Sequence, residues 1–62
     1  LSEREREITR MILLGHSSAS IALNLEIALP TVKTHRRNAY AKLGIATQAE
    51  LFALFMAAVQ EG

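Results

Sequence analysis

Four basic side chains lie close together in this 62-residue chain, and they are the residues best suited to do chemistry. They are Lys33, Arg36, Arg37 and Lys42, and residues 27–49, which include them, contain no Asp or Glu. The rest of the chain holds three arginines against six glutamates, so the net charge of +1 hides a concentrated positive patch. Ammonium and guanidinium groups bind phosphate oxygens and the O6 and N7 atoms of guanine, so the patch indicates a nucleic-acid surface.

The composition argues against catalysis and metal binding. The chain has no cysteine, and therefore neither a disulfide nor a thiolate metal ligand. Its two histidines, His16 and His35, have no carboxylate at a spacing that would complete a metal site or orient a general base. We therefore expect no catalytic residue, no metal and no cofactor, and we do not expect an enzyme.

Membrane insertion is not expected either. No apolar run approaches the roughly 20 residues that a membrane-spanning helix needs, and no signal peptide is recognisable. We expect a cytoplasmic protein.

The basic stretch predicts a helix over residues 30–43 with two different sides. Pro30 suits a first helical turn, and Gly44 can adopt the left-handed conformation that ends a helix. At about 100° per residue, the buried side should consist of apolar residues, with His35 and the stem of Arg36 at its margins: Val32, Ala39 and Leu43. The opposite side carries Lys33, Thr34, Arg37 and Ala41. Lys33 and Arg37 are one turn apart, so they project together from the outer side.

Local capping signals predict a helix before this one and a helix at the end of the chain. Ser2 with Glu5 is a capping box that opens the first helix, and Gly15 ends it. Its buried stripe should be Ile8, Met11 and Ile12, with Leu14 as a further candidate. Thr47 with Glu50 repeats the capping box and opens a last helix that runs to about residue 59.

A short helix is predicted directly before the basic one. Ser17 or Ser18 caps it, and Ile27 should contribute to the core from the connection that follows. Its inner side should be Ile21, Ala22 and Leu25. A helix, a turn of about three to four residues and a second helix have the spacing of a helix-turn-helix motif. The chain shows no strand signal, so we expect an all-α fold of four helices with the third as recognition helix.

The sequence also resembles a known family, the LuxR-type (GerE- or FixJ-type) helix-turn-helix domain, over essentially residues 1–62. The matching pieces, in order, are Leu1-Ser2-Glu3-Arg4-Glu5, Gly15 with Ser17, Ile21-Ala22 with Leu25, Thr31-Val32-Lys33 with His35, Lys42-Leu43-Gly44 and Gln48-Ala49-Glu50-Leu51. The resemblance implies a bacterial transcription regulator that binds double-stranded DNA as a dimer. It also implies that the chain is the C-terminal part of a longer protein with an N-terminal receiver or sensor domain.

The resemblance, read with the chemistry of the side chains, assigns DNA contacts. The expected base contacts, in the major groove, are Lys33, Thr34 and Arg37. The expected phosphate contacts are at the start of the second helix and along the flanks of the third: Ser17, Ser18, Thr31, Arg36 and Lys42.

The last helix carries more apolar residues than one buried side needs. One stripe is Leu51, Leu54, Phe55 and Ala58, and the other is Ala49, Phe52, Met56 and Val59. One stripe should close the core, and an apolar stripe left in water marks an interface. The resemblance implies dimerisation through this helix, and we expect the partner side to be Leu51, Leu54 and Phe55. Two alternatives stay open, namely that a further domain covers this side, or that the core uses both stripes.

A different class of function also remains possible on these residues. The helix-turn-helix shape could serve protein–protein interaction through the apolar last helix.

Overall fold

The computed structural model describes residues 1–61, and this part of the chain consists of four α-helices without a strand. The helices are α1 (Glu3–Leu13), α2 (Ser18–Leu25), α3 (Leu29–Leu43) and α4 (Gln48–Glu61). The predicted all-α, four-helix architecture is confirmed. The third helix begins one residue earlier than predicted, and the fourth continues beyond residue 59.

Both ends of α1 are set by the residues that the sequence indicated. The Ser2 hydroxyl accepts a hydrogen bond from the backbone N–H of Glu5 at 3.1 Å, and the Glu5 carboxylate accepts one from the N–H of Ser2 at 2.8 Å. This is the predicted capping box. After the helix, Gly15 adopts a φ of +97°, and the N–H of His16 returns to the carbonyl of Met11 at 3.0 Å. These bonds satisfy backbone groups that the helix end leaves free.

The connection between α2 and α3 is a three-residue turn, as the helix-turn-helix spacing predicted. Ser17 caps α2 by accepting a hydrogen bond from the N–H of Ser20 at 3.1 Å. At the other end, Glu26 takes a left-handed conformation with φ +57°, which is costly for a residue with a Cβ atom. The N–H of Ile27 then bonds the carbonyl of Ala22 at 3.1 Å, and the Ile27 side chain packs against the core.

The beginning of α3 has no side-chain cap, because its N-cap residue is Ala28. Pro30 in the first turn compensates in part, since its φ is already helical. At the C-terminal end, Gly44 is left-handed with φ +72°, and the N–H of Ile45 bonds the carbonyl of Tyr40 at 3.0 Å.

A small aliphatic core joins the four helices. Its buried members are Ile8, Ile12, Ile21, Ala22, Val32 and Leu51. Half-buried side chains pack around it: Met11, Leu13, Leu25, Ile27, Tyr40 and Ile45. α3 lies against both α1 and α2, so its inner side is held while its outer side is free.

Two apolar residues predicted to be buried lie at the surface instead. Leu14 is 71% exposed, because it follows the last turn of α1, where the chain leaves the helix for the Gly15 turn. Leu43 is also partly exposed, so it forms the edge of the buried side of α3, whereas Val32 and Ala39 are fully buried as predicted.

The fourth helix corrects the prediction for Leu51. Leu51 is 3% exposed and belongs to the core, so it does not face a partner. Phe52 is half-buried, and the side chains of residues 53–60 are all exposed. The physical reason is that α4 packs on the body through its first turns only and then extends beyond it. The remaining residues of the predicted partner side, Leu54 and Phe55, are exposed.

No single helix of residues 1–61 is long and apolar enough to cross a membrane; α3 and α4 pass that test only as a pair, bent by 53°.

Candidate nucleic-acid interface

The outer side of α3 presents the three residues predicted to contact bases. Lys33, Thr34 and Arg37 are exposed, and the inner residues Val32 and Ala39 are fully buried. Burial of the inner side fixes the rotation of α3 about its axis. The polar side chains therefore face outward because of the packing, and not because of any contact of their own.

The hydroxyl hydrogen of Thr34 is already used in a hydrogen bond within the helix. Its hydroxyl donates a hydrogen bond to the carbonyl oxygen of Pro30 at 3.0 Å. The free groups are then the oxygen lone pairs and the methyl group. Such a threonine can accept a hydrogen bond from an exocyclic amine of adenine or cytosine, or it can contact the methyl group of thymine.

The cations of α3 differ in how far their charge is compensated. Among the described residues there are two ion pairs, Arg4–Glu7 and Lys42–Glu5. Neither involves Lys33, Arg36 or Arg37, so no carboxylate of the described chain lies within ion-pair distance of these three. Positive charge without a local counterion is the electrostatic feature expected of a surface that binds a polyanion.

A groove runs beside these residues between α3 and the start of α4. Its volume is about 430 Å³, and its lining residues are Lys33, Arg36, Arg37, Tyr40, Ala46 and Gln48. Positions 33, 36, 37 and 40 are three, four and seven residues apart, so their side chains form one row on α3. That spacing could have placed Tyr40 beside the basic residues in advance. Nothing in the sequence indicated that Ala46 and Gln48 form the opposite wall, because a turn separates them from α3.

Arg36 connects the groove to the beginning of α2. Its Nη1 atom donates a hydrogen bond to the Ser18 hydroxyl at 2.8 Å, across 18 positions of sequence. Ser18 is the first residue of α2, where the helix dipole is positive and backbone N–H groups are free. The structure thus brings together two residues that the sequence assigned separately to phosphate binding. The other two polar candidates, Ser17 and Thr31, are exposed at the first turns of α2 and α3.

Lys42 is engaged by a carboxylate that the sequence analysis treated only as a cap. Its ammonium group lies 2.8 Å from Oε1 of Glu5, whose side chain is almost completely buried. The Lys42 hydrogen bond, followed by the N–H of Ser2, lowers the pKa of Glu5 from 4.5 to about 2, although burial acts in the opposite direction. The spacing of Glu5, Ile8 and Ile12 could have shown that Glu5 shares the buried side of α1.

The described residues bring together no group of three or more acidic or histidine side chains that could hold a metal ion. His16 is half-buried, and its Nδ1 atom lies 2.9 Å from the hydroxyl of Ser20. The side-chain amide of Asn24 donates hydrogen bonds to the carbonyl oxygen and the hydroxyl of Ser20. This cluster ties the chain before α2 to the helix itself.

Comparison with known proteins identifies the family. A sequence profile described as "Bacterial regulatory proteins, luxR family" (GerE) matches residues 1–55. The chain is 43% identical over 56 residues to an Aeromonas salmonicida protein named "Putative HTH-type transcriptional regulator in exeN 3'region". That alignment covers 90% of this chain but 29% of the relative, so the chain spans less than a third of the relative's length. No solved structure matches the chain significantly. With four helices, a three-residue turn between α2 and α3 and a profile match over 55 residues, the chain belongs to the luxR family of bacterial regulatory proteins.

Proposed function

We propose that this chain is the DNA-binding domain of a bacterial transcription regulator, with α3 as the helix that enters the major groove. The observation that carries the proposal is the row of cations on the outer side of α3, which form no ion pair among the described residues, while the inner side of the helix is buried in the core. An α-helix fits the width of the major groove, and membership of a family of regulatory proteins agrees with such a role.

In this proposal, Lys33, Thr34 and Arg37 read bases. Arg37 can bind O6 and N7 of one guanine with two hydrogen bonds, and Lys33 can bind the same acceptors with a single ammonium group. Thr34 contributes an acceptor or a methyl contact, because its hydrogen is bound to Pro30. The three contacts occupy one face and two successive turns, so they would address neighbouring base pairs.

Five further residues position the domain on the phosphate backbone: Ser17, Ser18, Thr31, Arg36 and Lys42. The Arg36–Ser18 hydrogen bond supports this assignment, because it holds a guanidinium group at the positive end of α2. Lys42 has three N–H donors and uses one on Glu5, so two remain for a phosphate.

The proposed regulator acts as a homodimer that associates through α4. Leu54 and Phe55 are exposed apolar residues on this helix, and residues 53–60 make no close contact with the body that would bury them. A symmetric contact of this kind would set two copies of α3 on half-sites about 34–36 Å apart, which is one turn of DNA.

The proposal also places residues 1–62 at the C-terminal end of a longer, cytoplasmic regulator with an N-terminal receiver or sensor domain. The share of the Aeromonas relative that this chain covers, 29%, supports a larger protein.

The test is binding of the chain to random-sequence DNA duplexes, followed by fluorescence anisotropy over a series of salt concentrations. The wild type should bind at low salt and weaken steeply as salt rises, because phosphate contacts release counterions. Arg37→Ala should weaken binding and flatten the plot of log K against log salt by up to about 0.9. Arg6→Ala removes the same charge from an exposed position on α1 and is the matched control, which should leave the slope unchanged.

Two results would contradict the proposal. One is no binding at low salt and high protein concentration. The other is an equal effect of the two arginine substitutions, which would show attraction to overall charge and not contact through α3. If DNA binds, selection of an operator should follow, and there Arg37→Ala should cost about 1–3 kcal/mol and relax specificity at one base pair.

A second candidate function is protein–protein recognition through α4, and the exposed Leu54, Phe55, Met56 and Val59 favour it. Salt separates the two, because association through apolar surface does not weaken as salt rises, whereas binding to DNA does.

A further inference from the structure

One cation of α3 carries a carboxylate beside it, and the others do not. The ammonium group of Lys42 lies 2.8 Å from Oε1 of Glu5, whereas the other three cations of this helix form no ion pair with a described residue. We propose that Glu5 competes with DNA phosphates for the ammonium group of Lys42, and that it thereby lowers the affinity of the domain for every DNA sequence alike. This role rests on the proposed function, and it adds a residue of α1 that touches no DNA itself.

The Glu5 carboxylate is held in place independently of Lys42. Its side chain is almost completely buried, and the oxygen that faces Lys42 also accepts a hydrogen bond from the N–H of Ser2 at 2.8 Å. The pKa of Glu5 is lowered to about 2, so the carboxylate is ionised near pH 7. Counterions screen a buried charge much less than an exposed one. A fixed negative charge therefore accompanies Lys42 before any DNA arrives.

The place of Lys42 on α3 works in the same direction. Lys42 lies in the last turn of the helix, where the negative end of the helix dipole attracts an ammonium group and repels a phosphate. Its side chain is 54% exposed, so a phosphate can reach it from solvent. Two N–H donors remain for that contact, but the charge that would attract the phosphate is already offset by Glu5. The expected result is a weakened phosphate contact.

The opposite effect of the same ion pair has to be weighed. A lysine that is held in place loses less side-chain entropy when it binds a phosphate, which would strengthen the contact. A phosphate oxygen bonded to the same ammonium group would, however, lie only about 4.5–5 Å from the carboxylate oxygen, which is less than the Debye length of about 8–10 Å. We expect this repulsion to exceed the entropic gain. The two effects predict opposite signs for removal of the Glu5 charge.

Glu5→Gln tests the sign, with binding to duplex DNA measured over a salt series as above. Glutamine also completes a capping box, so the substitution removes the charge and keeps the bond to the start of α1. Glu5→Gln should raise the affinity by up to about tenfold at about 0.1 M salt, because the contact of Lys42 releases a further counterion. The plot of log K against log salt should steepen by up to about 0.9. Both changes should be the same on every duplex sequence.

Two further variants isolate the pair. Glu7→Gln makes the same charge change on the same helix and frees Arg4 from an exposed pair at 2.9 Å, and it should leave the slope unchanged. The double variant Glu5→Gln/Lys42→Ala should lose the gain, because the gain acts through Lys42. Thermal unfolding checks that each variant is folded. If Glu5→Gln does not fold, Lys42→Ala decides, since it should flatten the slope by less than half as much as Arg37→Ala does.

The outcomes separate the role of Glu5 from the proposed function. If the wild type binds no DNA, the proposed function itself is wrong, and the role of Glu5 falls with it. If the wild type binds and Arg37→Ala weakens it, but Glu5→Gln binds as the wild type does, only the role of Glu5 is wrong. Weaker binding by folded Glu5→Gln would show that Glu5 positions Lys42, and an equal gain for Glu7→Gln would show an effect of overall charge. Either result overturns the competition.

Discussion

Leu51→Ala should destabilise a single chain strongly, whereas Leu54→Ala should leave its stability almost unchanged. Leu51 is 3% exposed and packs with the buried isoleucines of α1, while Leu54, less than one turn later, is 43% exposed. The substitution removes three carbon atoms. At about 0.8 kcal/mol per buried methylene, with a further cost for the cavity, the expected loss at position 51 is about 2–4 kcal/mol.

This loss is large against the total stability of so small a domain. At about 0.05–0.15 kcal/mol per residue, a chain of this length has an unfolding free energy of about 3–9 kcal/mol. Leu51→Ala should therefore remove about a fifth of the stability or more. Exposed positions rarely change stability by more than about 0.5 kcal/mol, and this is the limit that we expect for Leu54→Ala.

Urea unfolding followed by far-UV circular dichroism measures the difference, at protein concentrations low enough to keep the chain monomeric. With an m-value of about 1 kcal/mol per molar urea, Leu51→Ala should lower the midpoint by about 2–4 M or leave the chain unfolded without urea. Leu23→Ala is the matched control, because Leu23 is a helical leucine that is 80% exposed. It should shift the midpoint by no more than about 0.5 M.

Two results would refute this reasoning. The first is a Leu51→Ala midpoint equal to that of Leu23→Ala, which would mean that Leu51 is not part of the core. The second is a folded Leu51→Ala chain that has lost self-association while Leu54→Ala and Phe55→Ala retain it. Sedimentation velocity over a concentration series gives the second readout, and we expect the two exposed-position variants to weaken any dimer.

Three further predictions concern the helix ends and the phosphate contacts. Because the pKa of Glu5 is lowered, its contribution to stability is present in full above about pH 4.5 and is lost as the pH falls from there to about 2. The urea midpoint of Glu5→Gln should therefore change less over this pH range than that of the wild type. Parallel pH profiles for the two proteins would contradict the assignment. Glu26→Gly should raise the unfolding free energy by about 0.5–1 kcal/mol, because glycine accepts the left-handed conformation. Glu7→Gly, the control within α1, should lower it by about 1 kcal/mol, because glycine is unfavourable inside a helix. Thermal unfolding measures both. Ser18→Ala should weaken DNA binding two- to tenfold, or about 0.5–1.5 kcal/mol, without changing the slope of log K against log salt. Arg36→Ala should flatten that slope by about 0.9. Fluorescence anisotropy measures both, and a change of slope for Ser18→Ala would contradict the expected contact.

The helices and their limits could be predicted from the sequence, because their signals act within one or two turns. Ser2 and Glu5 are three residues apart and bond each other directly, so their identity alone starts α1. Gly44 ends α3 for an equally local reason, since it accepts a positive φ. The exposed side of α3 followed from the same logic, because apolar and charged residues on one helix separate at its fixed angular period.

Contacts between distant residues were decided only by the tertiary structure. The Lys42–Glu5 pair spans 37 positions, and the Arg36–Ser18 bond spans 18, so no helical period relates their members. The place of Gln48 beside the groove was also decided by the tertiary structure, because it depends on the angle between α3 and α4.

The sequence by itself therefore determined where the helices lie and which side of α3 is polar. The tertiary structure decided that Leu51 closes the core while Leu54 and Phe55 stay in water. Periodicity shows that α4 has two apolar stripes, but burial depends on which stripe meets the volume left between the other helices. That volume exists only once α1, α2 and α3 have packed together.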